Sequence, residues 1–374
     1  MIDRRHLLQG TGLAAVAALG GGACARTPDS DASTVRYWGM GAAVKDKDEA
    51  VKAAFLATDA GRGVEIHIDQ VPSSGAADMS QIITAVRGGT APDLWWMDRF
   101  NAVLNASIGL LEPLDDLIEE YEGVSVEEFT SQWLQFAIDE LTYEGSVYGL
   151  PTSTDARGLL CNQDVLQGAG EEFPFSRVDA FYATYQPPNA PPSRIALFSQ
   201  RLAITATGPW QNSGNRKYAP DLPLTWTWLP VAEEGDPTYT WSGGFSLVMP
   251  KGSSMSKAAW DFMTFHTGLD GQRSYVPELG SLPTHLHAIE EKAYDPTAEL
   301  FRQMLPGSTS RPPLPVGSVA SDAMDRAKTS VALGSKTPQQ VLEETQAMVV
   351  PKMDLFPGFR MPETYGERQE IEAA

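Results

Sequence analysis

Between residues 34 and 98 the chain alternates strand-like and helix-like stretches, and that alternation restricts the fold more than any other feature. TVRYWGMG (34–41) is a β-type run ending in glycines. From Lys45 to Thr58 the apolar residues Val51, Ala54, Phe55 and Ala57 mark one face of a helix. GVEIHIDQV (63–71) sets Val64, Ile66 and Ile68 against Glu65, His67 and Asp69, the two-residue period of a strand. A helix continuing over 82–87 stops at Gly88-Gly89, and APDLWWMD (91–98) is a third strand running into a loop. Strand, helix, strand in repetition implies βαβ units and a largely parallel sheet with helices on its faces.

Further along, Leu110–Glu122 and Val124–Glu140 carry apolar residues at helical spacing with acidic outer faces, and read as surface helices. GSVYGLP (145–151) reads as a strand leaving the first unit, and GLLCN (158–162) as a buried strand opening a second. RLAITATGPW (201–210), LTWTWLP (224–230) and WSGGFSLVMP (241–250) read as strands, and 256–267 and 338–348 as amphipathic helices. The stretch 171–194 has one short helical candidate between two Pro-rich pieces and receives no assignment. A length of 374 residues at roughly 100–200 per domain gives two domains or three small ones. With 42% apolar residues, the chain has enough to bury substantial cores.

Charge and cysteine usage narrow the function classes. A balance of 28 Lys+Arg against 48 Asp+Glu gives a net charge of -20, which repels phosphate backbones and anionic membrane surfaces and argues against nucleic-acid binding. Cys24 and Cys161 lie in different settings and supply neither a disulfide framework nor a thiolate metal site. Residues 1–25 read as a signal segment, with Arg4 and Arg5 ahead of an apolar run too short to stay in a bilayer. DRRHLLQG (3–10) resembles a twin-arginine export signal. GGAC (21–24) resembles a lipoprotein cleavage box, which makes Cys24 the lipidation site; Ala23-Cys24-Ala25 also fits an ordinary A-x-A cleavage site. Residues 26–34 are polar and turn-rich and read as a flexible tether.

Seven strings in order carry a family resemblance: VRYWGMG, GGTAPDLWWMD, GLLEPLDDLIEE, YEGSVYGLPTSTDARGLLCN, ITATGPW, WSGGFSLVMPKGSSMSKAAWDFMTFHTG and TPQQVLEETQ. Together they resemble the extracellular solute-binding proteins of ABC importers, in particular the large carbohydrate-binding group of maltose-type and glycerol-phosphate-type receptors. The resemblance implies an α/β, two-lobe periplasmic-binding-protein-like fold with several interlobe crossings and a ligand held between the lobes. Residues 35–145 and 240–310 are assigned to the first lobe, 146–239 and 311–356 to the second, and 357–374 to a C-terminal tail. Relatives have a long helical section before the GPW strand, where this chain has only about forty residues, 171–210. The second lobe is therefore expected to be reduced.

Sugars present apolar C–H faces and hydroxyl edges, so a receptor for them needs flat aromatic surface together with directional hydrogen-bonding groups. Candidates lie where strands end in loops: Trp38 with Gly39 and Met40; Trp95, Trp96 and Asp98; Thr154 and Asp155; Trp210; and Trp241 with Gly243 and Gly244. A strand-end Trp alternatively fills a core, and Trp95 and Trp96, being adjacent, face opposite ways. Asp98 and Asp155 would accept from vicinal hydroxyls, or else serve as helix caps or ion-pair partners. Arg99, Arg157 and Arg311 offer anion contacts, with ordinary ion pairing favoured in so acidic a chain.

No G-x-S-x-G, H-E-x-x-H, C-x-x-C, P-loop or dinucleotide motif occurs. His285 and His287 lack a third metal ligand nearby in sequence. The expectation is a non-enzymatic, monomeric receptor without cofactor or metal, tied to the membrane only through a lipid at Cys24. It would capture a sugar or oligosaccharide and deliver it to the transmembrane subunits of an ABC permease. A secreted glycoside hydrolase with paired carboxylates, and a degenerate binding protein with a scaffold role, are the alternatives. Crossings are expected near Thr142–Pro151, Thr238–Phe245 and Ser310–Pro315.

Overall fold

In the computed structural model the described residues are 33–39, 41, 45–71, 76–168, 170, 193–231, 233, 238–290 and 296–366. The signal segment, Cys24, Met40 and nearly all of the unassigned stretch 171–194 lie outside them. Strands in chain order are β1 (Thr34–Gly39), β2 (Glu65–Gln70), β3 (Leu94–Asp98), β4 (Thr142–Tyr143), β5 (Ser146–Val147), β6 (Gly149–Thr154), β7 (Gly158–Asn162), β8 (Ile204–Thr207), β9 (Leu224–Thr227), β10 (Thr240–Trp241), β11 (Gly244–Val248) and β12 (Ser308–Thr309).

The large sheet has the order β2–β1–β3–β11–β6. Its first three strands pair in parallel, as the alternation over 34–98 requires, with Val35 opposite Ile66 and Trp38 opposite Trp95. β11 then joins antiparallel to both β3 and β6. Because β3 is flanked on both edges and covered on both faces, its alternating side chains enter two different cores. Trp96 packs with Tyr37, Phe55, Trp260 and Phe262. Trp95 packs with Ile82, Met97, Leu111 and Val248.

The helix Lys257–Thr267 covers the first face. Ser256 caps it by accepting from Ala259 N, and Ala259, Trp260, Phe262, Met263, His266 and Thr267 are buried at helical spacing. Burying each large apolar side chain there contributes roughly 1.5–3 kcal/mol, and Trp260 also donates its ring N–H to Glu122 Oε1 at 2.7 Å. The two long surface helices expected over 110–140 are instead three short ones, Asp115–Glu122, Val126–Thr130 and Gln135–Asp139. Gly123, left-handed at φ 69°, ends the first, and Ser125 caps the second by accepting from Glu128 N.

A second sheet of three strands, β8–β7–β9, has β7 in the middle, antiparallel to both neighbours and buried throughout. Burial pushes the Cys161 thiol on β7 up to about 12, so it stays protonated and inert. Leu282, Ile289, Phe301, Met304 and Leu305 form a core with Ala156, against which Trp226 and Trp228 of the second sheet's side are packed. The same core takes in Leu134 and Ala137, and Leu282 and His285 bridge to Thr154 and Trp133, so residues 282–305 contact both sides rather than only the first lobe to which 240–310 was assigned. Conversely, β6 is hydrogen-bonded into the large sheet, which extends past the boundary expected at 145. The helices Gly317–Ala332 and Pro338–Met353 pack on each other, the second opened by a capping box between Thr337 and Gln340. Among the described residues no helix is long and apolar enough to cross a membrane.

His266 gives this core a pH dependence. Its ring lies among Tyr37, Trp96 and Phe262, at centroid distances of 6.0, 5.5 and 5.9 Å. Burial drives its pKa down from 6.5 to about 3. The unfolded chain takes up this proton below about pH 6.5 while the folded chain does not, so stability falls as pH drops through that window towards 3. Replacing His266 by phenylalanine removes this contribution. Relative to the parent, the variant should gain about 1.4 kcal/mol for each pH unit lowered between 6.5 and 3. Denaturant titrations at pH 4.5 and 7 check it: an unchanged difference between the two proteins would show that His266 is charged when folded.

Candidate functional site

Between the two sheets, three of the described chain segments meet at one junction. Asp155–Arg157 runs from β6 to β7, while β10 and β12 lie side by side in parallel, Thr240 opposite Ser308 and Trp241 opposite Thr309. Thr240 is buried; its hydroxyl accepts from Arg157 N at 2.8 Å and donates to Arg157 O at 2.7 Å. The Thr240 side chain thereby fastens the first passage to β10, which pairs in turn with β12. The first passage lies beyond the expected Thr142–Pro151, because β4 and β5 pair with each other and β6 stays in the large sheet.

At this junction five side chains stack in alternation: Phe100, Arg311, Trp241, Arg157, Trp210. The Arg157 guanidinium carbon lies 4.1 Å from the Trp210 ring centroid and 4.7 Å from that of Trp241. The Arg311 guanidinium carbon lies 3.7 Å from the Phe100 centroid and 5.3 Å from that of Trp241. Cations over aromatic faces at these distances are attracted by the ring quadrupole, by about 0.5–2 kcal/mol each. Phe100 follows β3 of the large sheet and Trp210 follows β8 of the small one, so the stack spans the junction. Gly208 is needed here, since a Cβ would lie 1.9 Å from the Trp210 ring.

Each stacked arginine is paired with a carboxylate. Arg157 Nη1 lies 2.9 Å from Asp155 Oδ1, and Arg311 Nη2 lies 3.1 Å from Asp98 Oδ1. Asp155 also accepts from Gly243 N at 3.2 Å. Burial pushes its carboxyl above the ordinary range, while Arg157 pulls it back. Asp98 additionally accepts from Phe100 N at 3.0 Å, capping the turn 99–101.

Beneath the stack Arg99 is wholly buried. It donates from Nε to Glu140 Oε2 at 2.9 Å, from Nη2 to Gly243 O at 2.8 Å, and from Nη1 to Ser153 O. Burial pushes Glu140 up from 4.5 to about 7 despite the neighbouring Arg99, and its Oε1 has no hydrogen-bond partner.

The structure thus brings Asp98, Thr154, Asp155, Trp210, Trp241, Gly243 and Gly244 to one junction, but not all as proposed contacts. Thr154 is fully buried and donates to Gly243 O at 3.1 Å, so it supports the junction rather than lining it. Gly244, at φ 146°, admits close neighbours, but these are Ser153 O, 2.1 Å from an added Cβ, and Arg99 Nη1, at 2.4 Å. Trp95 and Trp96, 3% and 1% exposed, fill cores on opposite faces of β3 and leave no face for a ligand. Trp38 lines a separate groove of about 460 Å³ with Ser80, Gln81, Thr84, Ala85 and Thr90. A side chain at Gly39 would strike Asp48 at 2.3 Å. The pairing of Arg99, Arg157 and Arg311 with acids agrees with the sequence reading. Their stacking and the parts of Phe100, Glu140 and Thr240 were missed, and only the nearness of Phe100 and Arg99 to Asp98 hinted at them.

Residues 41–193 match the family described as bacterial extracellular solute-binding protein. Among solved structures, the chain is similar to the GacH receptor of Streptomyces glaucescens, studied unliganded and with acarbose. The two share 18% identity and a TM-score of 0.69, over 87% of this chain and 99% of that one. An ABC transporter solute-binding protein of Thermotoga lettingae, bound with α-D-tagatose, gives 19% identity and a TM-score of 0.68 over 85% and 99%. The maltose-maltodextrin binding protein of Alicyclobacillus acidocaldarius gives 16% and 0.67 over 85% and 100%. Residues 41–193 thus resemble the bacterial extracellular solute-binding family, and the fold is the periplasmic-binding-protein architecture of two α/β halves.

Proposed function

We propose that the protein is the substrate-binding component of an ABC importer, taking a sugar or oligosaccharide between its halves and delivering it to permease subunits in the membrane. The observation that carries this reading is the pairing of Trp210 and Trp241, 36% and 39% exposed, both over the one planar Arg157 guanidinium, with Asp155 and Asp98 alongside. Two flat apolar faces with carboxylate acceptors at their edge match the faces and hydroxyls of a sugar ring. The sugars bound by the solved relatives point the same way. Both carboxylates are engaged by arginine, which favours holding a ligand over donating or removing protons in glycoside hydrolysis. Export through the N-terminal segment and lipidation of Cys24 would place the receptor at the cell surface or in the periplasm.

Calorimetric titration with maltose, mannobiose and tagatose tests this. One of them should give saturable binding in the micromolar range, about 8 kcal/mol in all, with no product formed on long incubation. Silence from all three, or turnover of either disaccharide, sinks the proposal.

A further inference from the structure

We propose that Arg157 is a built-in occupant of the sugar slot, and that a bound ring takes its place. The inference rests on the sugar-binding reading above. The Arg157 guanidinium is flat and lies 4.1 and 4.7 Å from the two indole centroids. Carbon atoms in contact sit about 3.5–4.0 Å apart, so a sugar ring stacked between the same indoles needs much the same clearance. The slot is therefore filled in this structure by the chain itself. Ligand and guanidinium cannot share it.

The surroundings allow the side chain to leave without moving the backbone. Arg157 N and O are both held by Thr240 Oγ1, so the main chain stays pinned. The side chain is 20% exposed and reaches the slot on a long flexible stem. Its departure leaves Asp155 with the Gly243 N–H and one vacated side. The hydroxyls of an incoming ring can supply donors there, whereas an apolar plate without hydroxyls leaves a buried carboxylate short of a partner. Arg157 thus acts as a specificity filter: only a ring that both stacks and donates to Asp155 repays its expulsion.

The first test needs no ligand. Of the nine tryptophans, Trp210 and Trp241 are the most exposed, so they dominate quenching of the fluorescence by acrylamide. Arg157→Ala should raise the quenching constant about twofold; an unchanged constant overturns occupancy of the slot. The same variant titrated with maltose, mannobiose and tagatose should bind its sugar at least tenfold more tightly than the parent. Tenfold weaker binding overturns the proposal and makes Arg157 a ligand contact. If quenching rises while neither protein binds any sugar, occupancy stands and the sugar reading fails. Asp155→Asn combined with Arg157→Ala guards against misfolding, because it removes both members of the ion pair, and its quenching constant should rise equally.

Discussion

Replacing Arg99 by alanine should lower folding stability by about 3–5 kcal/mol, the usual consequence of leaving one member of a buried ion pair alone. Arg99 is fully buried and donates to Glu140, Ser153 O and Gly243 O, joining the end of β3 to β6 and to the chain before β11. Its loss strands a carboxylate that burial already pushes to about 7. Without the guanidinium that carboxyl rises further, so the protein escapes part of the penalty by binding a proton. The cost should consequently be larger at pH 8 than at pH 6, since the folded variant retains a proton that the unfolded chain releases. Adding Glu140→Gln to the alanine variant should remove this pH dependence. Urea titrations at both pH values decide the matter; a loss under 1 kcal/mol at pH 8 would mean that water reaches Glu140.

Trp241→Ala should weaken sugar binding about a hundredfold, equivalent to about 2.7 kcal/mol. Trp241 contributes one face of the slot and stacks against both Arg157 and Arg311, so its removal opens the slot and loosens both cations together. Folding stability should change far less, because the indole is 39% exposed. Trp241→Phe keeps a smaller face and should fall between the two. Calorimetry on the three proteins with the sugar that the parent binds is the measurement. Affinity within threefold of the parent in the alanine variant would place the ligand elsewhere.

The parallel core could be read in the sequence because it is local: β1, β2 and β3 with their intervening helices lie within sixty-five residues, and each announces itself by period. The placement of β6 could not be. Nothing in GLPTST distinguishes a strand departing for a new sheet from one returning to β11, nearly a hundred residues later, and that long-range pairing decides the boundary. Trp95 and Trp96 show the same limit from the other side. Alternation correctly sent them to opposite faces, but whether a face is covered depends on the helices Ala76–Arg87 and Lys257–Thr267. At the candidate site the residue types were legible and their partners were not. Arg157 and Trp210 are fifty-three residues apart, and no periodicity links a guanidinium to the ring on which it rests.

The hydroxyl of Thr240 has a mechanical consequence. With three crossing segments knotted at a single height, neither half can swing about one of them while the others stay still. Any relative movement of the two halves would have to carry these segments together.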